Sequence, residues 1–337
     1  MIARPLLRSV YAMSLSALLV MITGCADHQA APQIKMPPVE APPAEPPPPP
    51  PQTTLTADMA SFGATNIYVT QPKDTLLDVA RTYDLGFTQL MTANRGLDPW
   101  NPGVGKDITL PGRYLLPDVP RKGIVINLPQ HRLYYFPRPD QVQTFPIGVG
   151  VDGRATPLGT TKVAKKELHP TWHVPASIRA EDPDLPAKVG PGPDNPLGDH
   201  AFLLGWATYL IHGTNKPYGV GRNVSHGCIH LYPEDMERLF GEVPVGTPVR
   251  VIDQEVMTAW IDGDLYLAAY PSKRQAEAID LNQPMPAERP KALPEQIRRA
   301  MQGHHRMVDW QAVEAAVKER SGIPVRVSRP PLVEGTS

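Results

Sequence analysis

Two short glycine-containing stretches hold the side chains of this sequence that can do covalent chemistry. Ile211-His212-Gly213-Thr214 is followed by Ser225-His226-Gly227-Cys228. A cysteine is a nucleophile as its thiolate, and an imidazole within reach can take the thiol proton and leave a thiolate paired with imidazolium. Cys228 is one of only two cysteines, and the other, Cys25, ends an N-terminal apolar segment. If that segment is an export signal, Cys228 has no disulfide partner within its chain. A lone thiol in an oxidising compartment points to a chemical role.

The stretch from His212 to Cys228 also contains Gly213, Gly219, Gly221 and Gly227. These glycines allow a tight return that brings a strand end at His212 beside Cys228, and Gly227 lets backbone N–H groups approach a substrate as an oxyanion site requires. A metal alternative exists. His226, Cys228 and His230 alternate, so on an extended strand they would share a face, with His212 as a fourth ligand. Zinc sites usually have wider paired spacings, which counts against it.

The elements that must position these residues are mainly β. From Gly123 onward, Ile124–Leu128, Arg132–Phe136, Val142–Val149, Thr161–Lys166, Tyr209–Ile211 and Pro248–Ile252 read as short strands between turn signals. A helix fits Pro233–Phe240, with proline in its first turn. Such a pattern predicts a mainly antiparallel sandwich or barrel. Ahead of it, residues 66–112 form a small module. A strand at Ile67–Val69, a helix capped near Asp74, a second helix ending near Asn94 and a strand at Ile108–Leu110 give β-α-α-β. After residue 253 the sequence is less informative. Residues 271–305 show little strand pattern and several prolines, and Asp309–Arg320 reads as an amphipathic helix.

The N-terminus carries Arg4 and Arg8, an apolar run from Val10 to Ile22, and Thr23-Gly24-Cys25, the layout of a secretory signal over residues 1–24. The run is short for a membrane span. Residues 25–65 read as a tether, because the proline run Pro46–Pro51 favours polyproline II and excludes helix and sheet. At about 3.1 Å per residue such a spacer reaches roughly 100 Å. The formal net charge is -1, so no global basic field directs the chain to nucleic acid.

Several of these strings are family-specific. Ile22-Thr23-Gly24-Cys25 resembles a bacterial lipobox, which implies lipidation of Cys25 and, with Ala26 following, an outer-membrane lipoprotein facing the periplasm. Tyr68-Val69, Asp74-Thr75-Leu76, Val79-Ala80, Tyr83, Leu90 and Ala93-Asn94 resemble the LysM module, which implies binding of N-acetylglucosamine-containing glycans. Lys73 stands where that family usually has glycine. The His212 and Cys228 stretches, with Thr156–Thr160, Thr171–Pro175 and Gly190–Gly198, resemble the active-site signature of L,D-transpeptidases over residues 123–253. The family that these stretches resemble is metal-free, so neither metal nor other cofactor is expected.

That last resemblance implies the YkuD-like β-sandwich, with Cys228 as nucleophile, His212 as base and a carbonyl at Gly213 orienting the imidazole. Amides near Gly227 and Cys228 would hold the oxyanion, and Ser225 and His226 would shape the site. Thr214, Asn215 and His230 fall where relatives bind substrate, although His230 replaces the Arg or Asn usual there and lacks the guanidinium fork. The implied reaction is attack on the meso-diaminopimelate carbonyl of a peptidoglycan tetrapeptide stem with loss of D-alanine. The resulting thioester passes to an amine, either another stem or the terminal lysine of an outer-membrane lipoprotein. Transfer to water would make the protein a carboxypeptidase, and a decayed site would leave a non-catalytic wall-binding lipoprotein. Residues 254–337 form a C-terminal extension to which the sequence assigns no function.

Overall fold

The computed structural model describes residues 53–56, 59–151, 155–290 and 292–329, all within one compact unit. Cys25, the signal segment and the proline run lie outside the described residues.

The first elements are β1 (Thr53–Thr54), β2 (Ser61–Phe62), β3 (Thr65–Val69), α1 (Leu76–Thr82), α2 (Phe87–Ala93), β4 (Asp107–Pro111) and β5 (Tyr114–Leu115). β3 and β4 pair antiparallel around the two helices, giving the expected β-α-α-β unit. Its core is Leu76, Val79, Ala80, Leu85, Leu90, Ile108 and Leu110. Thr75 caps α1 by accepting from the Asp78 amide. The spacer reading does not extend to residue 65. Thr53 and Thr54 already pair with the strand at 141–142, and Leu55 is buried against Val125, Tyr134 and Phe136.

The middle of the chain holds β6 (Gly123–Asn127), β7 (Arg132–Phe136), β8 (Gln141–Pro146), β9 (Val149–Gly150), β10 (Gly159–Leu168), β11 (Trp172–His173), α3 (Ala176–Glu181), β12 (Lys188–Val189), β13 (His200–Leu204), β14 (Leu210–His212), β15 (Asn223–Ser225), β16 (Ile229–His230), α4 (Pro233–Glu242) and β17 (Pro248–Ile252). Nine strands form one sheet in the order β1-β8-β7-β6-β17-β10-β13-β14-β16. Most neighbours are antiparallel, but β17 runs parallel to β6 and β16 parallel to β14. Ile124, Ile126, Leu133, Phe145, Phe202, Ile211, Ile229 and Val249 fill the space beneath α4, which closes over them with Met236 and Leu239. Alternation along the strands makes this one continuous apolar face.

The run from Val142 to Val149 is two strands rather than one. Pro146 ends β8, since it has no N–H for the ladder. β9 then leaves the main sheet and pairs with β15, the segment leading to Cys228.

The C-terminal extension is folded. β18 (Val256–Ile261), β19 (Asp264–Ala269) and β20 (Val325–Arg326) make a separate three-stranded sheet, and α5 (Lys273–Asp280), α6 (Leu293–Ala300) and α7 (Trp310–Glu319) accompany it. Leu293 and Ile297 of α6 and Val313, Ala316 and Val317 of α7 pack on Leu265 and Leu267. The two helices α5 and α6 occupy the proline-containing stretch in which no element was expected.

Candidate active site

His212 ends β14, and the parallel pairing of β14 with β16 sets Ile211 against Ile229 and His212 against His230. Cys228 therefore lies just ahead of β16, one pleat before the partner of His212. The sequence forms this arrangement because Gly227 takes φ +106°, a conformation that a side chain would resist, and so turns the chain between β15 and β16. The same turn breaks the strand that would have put His226, Cys228 and His230 on one face. Among the described residues no three His, Cys, Asp or Glu side chains are grouped to hold a metal ion.

His212 is buried. Its Nδ1 lies 2.5 Å from the carbonyl of Gly213, so Nδ1 carries the proton and donates it there, leaving Nε2 as the basic nitrogen. Gly213 is held in turn by its N–H to the His200 carbonyl at 3.1 Å. Burial, reinforced by the nearby His230, lowers the His212 pKa to about 3. The thiol of Cys228 is partly exposed at its surface, and burial of the rest pushes its pKa upward, opposed by a hydrogen bond from the Leu210 backbone. Its sulfur lies 3.7 Å from the Thr208 carbonyl, to which the S–H donates. Burial therefore favours the neutral form of both the thiol and the imidazole.

The turn carrying Cys228 is fastened by hydroxyls. Ser225 Oγ donates to the Cys228 carbonyl at 2.6 Å and accepts the Gly227 N–H at 3.1 Å. Thr156 Oγ1 donates to the Gly227 carbonyl at 2.9 Å. The amide of Gly227 is therefore engaged by Ser225, and the amide of Cys228 has no partner among the described residues. Thr156 is a supporting residue that the sequence placed in a family string without a role.

The remaining expected residues fall at different depths. His226 is exposed, with Nε2 3.3 Å from Glu181 Oε2 at the end of α3, which stands between β11 and β12. Thr214 is buried and accepts the Lys216 N–H at 2.9 Å. Asn215 donates to the Pro193 carbonyl at 3.1 Å, while its Oδ1 is buried without a partner. His230, expected to meet substrate, is 8% exposed and faces inward, with its ring 6.0 Å from that of His212. Its Nε2 contacts the Gly219 carbonyl at 3.2 Å, and the ring occupies the space where a Cβ on Gly148 would be, 1.7 Å away. Its place is behind the site, wedged between two glycines.

Comparison with known proteins identifies the family. Residues 121–251 match the YkuD family, the L,D-transpeptidase catalytic domain. The chain is 41% identical over 270 residues to the probable L,D-transpeptidase ErfK/SrfK of Escherichia coli K12, covering 77% of this chain and 83% of that protein. It is 38% identical over 265 residues to the probable L,D-transpeptidase YcfS of the same organism, covering 74% of this chain and 79% of the relative. Among solved structures, the catalytic domain of an Enterococcus faecium L,D-transpeptidase aligns over 40% of this chain and 100% of its own, with 25% identity and a TM-score of 0.33. The similarity to the Escherichia coli proteins covers about three quarters of this chain, and this chain belongs to the L,D-transpeptidase family.

Proposed function

We propose that Cys228 is the acyl-carrying nucleophile and His212 its base, acting on peptidoglycan tetrapeptide stems outside the cytoplasm. The observation that carries this reading is the locked imidazole. His212 Nδ1 is committed to the Gly213 carbonyl, so only Nε2 can take a proton, and the β14–β16 register, which pairs His212 with His230, supports a nearby thiol two residues earlier. As substrate enters, the thiol proton passes to Nε2 and sulfur attacks the carbonyl of meso-diaminopimelate. The Cys228 amide, which takes no part in fastening the turn, is the donor this reading assigns to the oxyanion. Collapse breaks the bond to D-alanine, whose amine takes the proton back from His212. The thioester keeps much of the peptide bond's free energy, so no nucleotide is needed for the second half. An acceptor amine attacks it, His212 removes the surplus proton, and the thiol is restored.

Ser225 and Thr156 support the reading by fixing the turn, and Asn215, with an unpaired buried Oδ1, offers an acceptor beside it. His226 and Glu181 form the polar outer wall. The β-α-α-β unit fits a LysM-like role of holding the enzyme on its glycan polymer. The signal-like N-terminus and Cys25 fit a lipid-anchored protein facing the periplasm, and replacing Cys25 by alanine is expected to shift the protein out of the membrane fraction.

The test is incubation of the full-length protein with disaccharide-tetrapeptides, with and without a lysine-terminated peptide, beside a Cys228→Ala variant. Cross-linked dimers lacking one D-alanine, absent from the variant, are the expected products of stem-to-stem transfer. Peptide adducts formed in preference to dimers would assign the acceptor as a lipoprotein lysine. Tripeptides alone would make the protein a carboxypeptidase, and the same products from Cys228→Ala would overturn the assignment of the nucleophile.

A further inference from the structure

The segment that delivers the chain to Cys228, residues 219–225, is gripped from two sides by elements outside the family-matched region. On one side is α2. Its first turn has no side-chain cap, and the Phe87 and Thr88 amides donate instead to the Val220 and Gly221 carbonyls at 3.3 and 3.1 Å. Gly86 and Gly221 meet backbone to backbone, since a Cβ on Gly221 would lie 2.2 Å from the Phe87 nitrogen. The Arg222 guanidinium sits 4.8 Å above the Phe87 ring.

On the other side is α5. Asp280 at its end takes Arg222 Nε at 3.0 Å, with both side chains largely buried, at 15% and 10% exposure. The Asn223 backbone N–H also donates to the Asp280 carboxylate. Asn223 Nδ2 donates to the Lys273 carbonyl at the start of the same helix, 3.3 Å away, and its Oδ1 contacts buried His131 at 3.0 Å. Two residues further on, Ser225 fastens the Cys228 turn. One carboxylate thus fixes a side chain and a backbone amide in the strand whose next turn presents the sulfur. Buried ion pairs are expensive to form and are weak grounds for stability alone, so a pair placed here calls for another explanation.

We propose that Asp280 is a positioning residue for Cys228, acting through Arg222 and the Asn223 amide. The C-terminal region is then part of the machinery of the enzyme. The proposal rests on the assignment of Cys228 as nucleophile, and it predicts that loosening Asp280 misplaces the sulfur without altering the surfaces that bind the stem.

The experiment measures alkylation of Cys228 by iodoacetamide, followed at the Cys228 peptide by mass spectrometry, and transpeptidation kcat and KM, in the full-length protein. Asp280→Ala is expected to lower both the alkylation rate and kcat on the order of 10- to 100-fold, with KM nearly unchanged. Asp280→Glu, which keeps the carboxylate, recovers most of that loss. Arg274→Ala, on the same helix but paired with Glu288 at the surface, leaves the rates as they were. If Asp280→Ala does not fold, Asp280→Asn keeps the side-chain shape and is expected to show the same loss. Rates within about twofold of the parent in a folded Asp280 variant, or a change in KM alone, would overturn the proposal. Alkylation reads the thiol whatever reaction it serves, so a clamp that fails is distinguishable from a nucleophile that is wrong, which Cys228→Ala with retained turnover would reveal.

Discussion

At Cys228 and His212, burial acts on both partners in the direction of neutrality, raising the thiol and lowering the imidazole to about 3. A preformed thiolate–imidazolium pair would give an alkylation rate that levels off in mild acid. A neutral pair gives a rate that keeps rising with pH from 5 to at least 8, because the thiolate fraction keeps growing. Iodoacetamide kinetics at Cys228 across that range distinguish the two, and the rising profile is expected. The inward face of the site yields a second prediction. Gly148→Ala would have to expel the His230 ring, and overpacking of this kind costs about 1–3 kcal/mol, read as a lowered urea midpoint. His212 and Cys228 stood out in the sequence as a candidate pair because a lone cysteine follows a histidine across a glycine-rich stretch. The inward orientation of His230 did not, since it depends on Gly148 and Gly219, distant in sequence and meaningless until the strands are paired.

Among the elements, the contact of α2 with the 219–221 segment leaves no room for a side chain. Gly221 has φ +82° and its missing Cβ would clash with the Gly86–Phe87 backbone. Gly221→Ala is expected to destabilise the protein by about 3 kcal/mol, measured by urea unfolding, and to lower activity in whatever fraction folds. Six strand runs of the catalytic region were readable from alternation and turn residues, and Pro248–Ile252 matches to the residue, whereas β13 between β10 and β14 went unread. The β18–β19 hairpin went unread although its signal is present. Asp262-Gly263, with φ +50° and +77°, is a two-residue turn between apolar-rich strands. α5 likewise carries a legible start, with Ser272 and Gln275 forming a capping box. Its apolar face is mostly alanine, which gives weak periodicity, and its purpose lies in Asp280, a residue whose partner is 58 positions away.

Across the whole molecule, the β-α-α-β unit is joined to the catalytic sheet by charge. Arg81 of α1 holds Glu234 of α4 through two bonds of 2.7 and 2.8 Å. Beneath them Asp84 and Asp235 are buried, with Arg132, Arg238 and Glu234 near them. Burial raises the pKa of both carboxyls, that of Asp84 to about 6. Carboxyls raised in this way add stability that is present below the ordinary carboxylate range and is lost as pH rises through about 6. The buried histidines act oppositely. His212 and His131, lowered to about 3 and 4, add stability that is full above 6.5 and is lost as pH falls. The two effects oppose each other between about pH 4 and 6, so the melting temperature of Asp84→Asn is expected to rise more steeply with pH across that range than that of the parent. Arg132 is fully buried on β7 and donates to the Asp84 carbonyl at 2.6 Å from across the boundary. In the C-terminal region Arg320 is equally buried, on Glu255 and the Tyr270 carbonyl. An excised fragment spanning only residues 121–251 would keep Arg132, Asp235 and Glu234 but lose Arg81 and Asp84, and stranding a buried charge costs about 3–5 kcal/mol. The boundaries within which this enzyme is inherited as a family are thus narrower than those within which it can be produced, and a shortened expression clone is expected to yield insoluble protein.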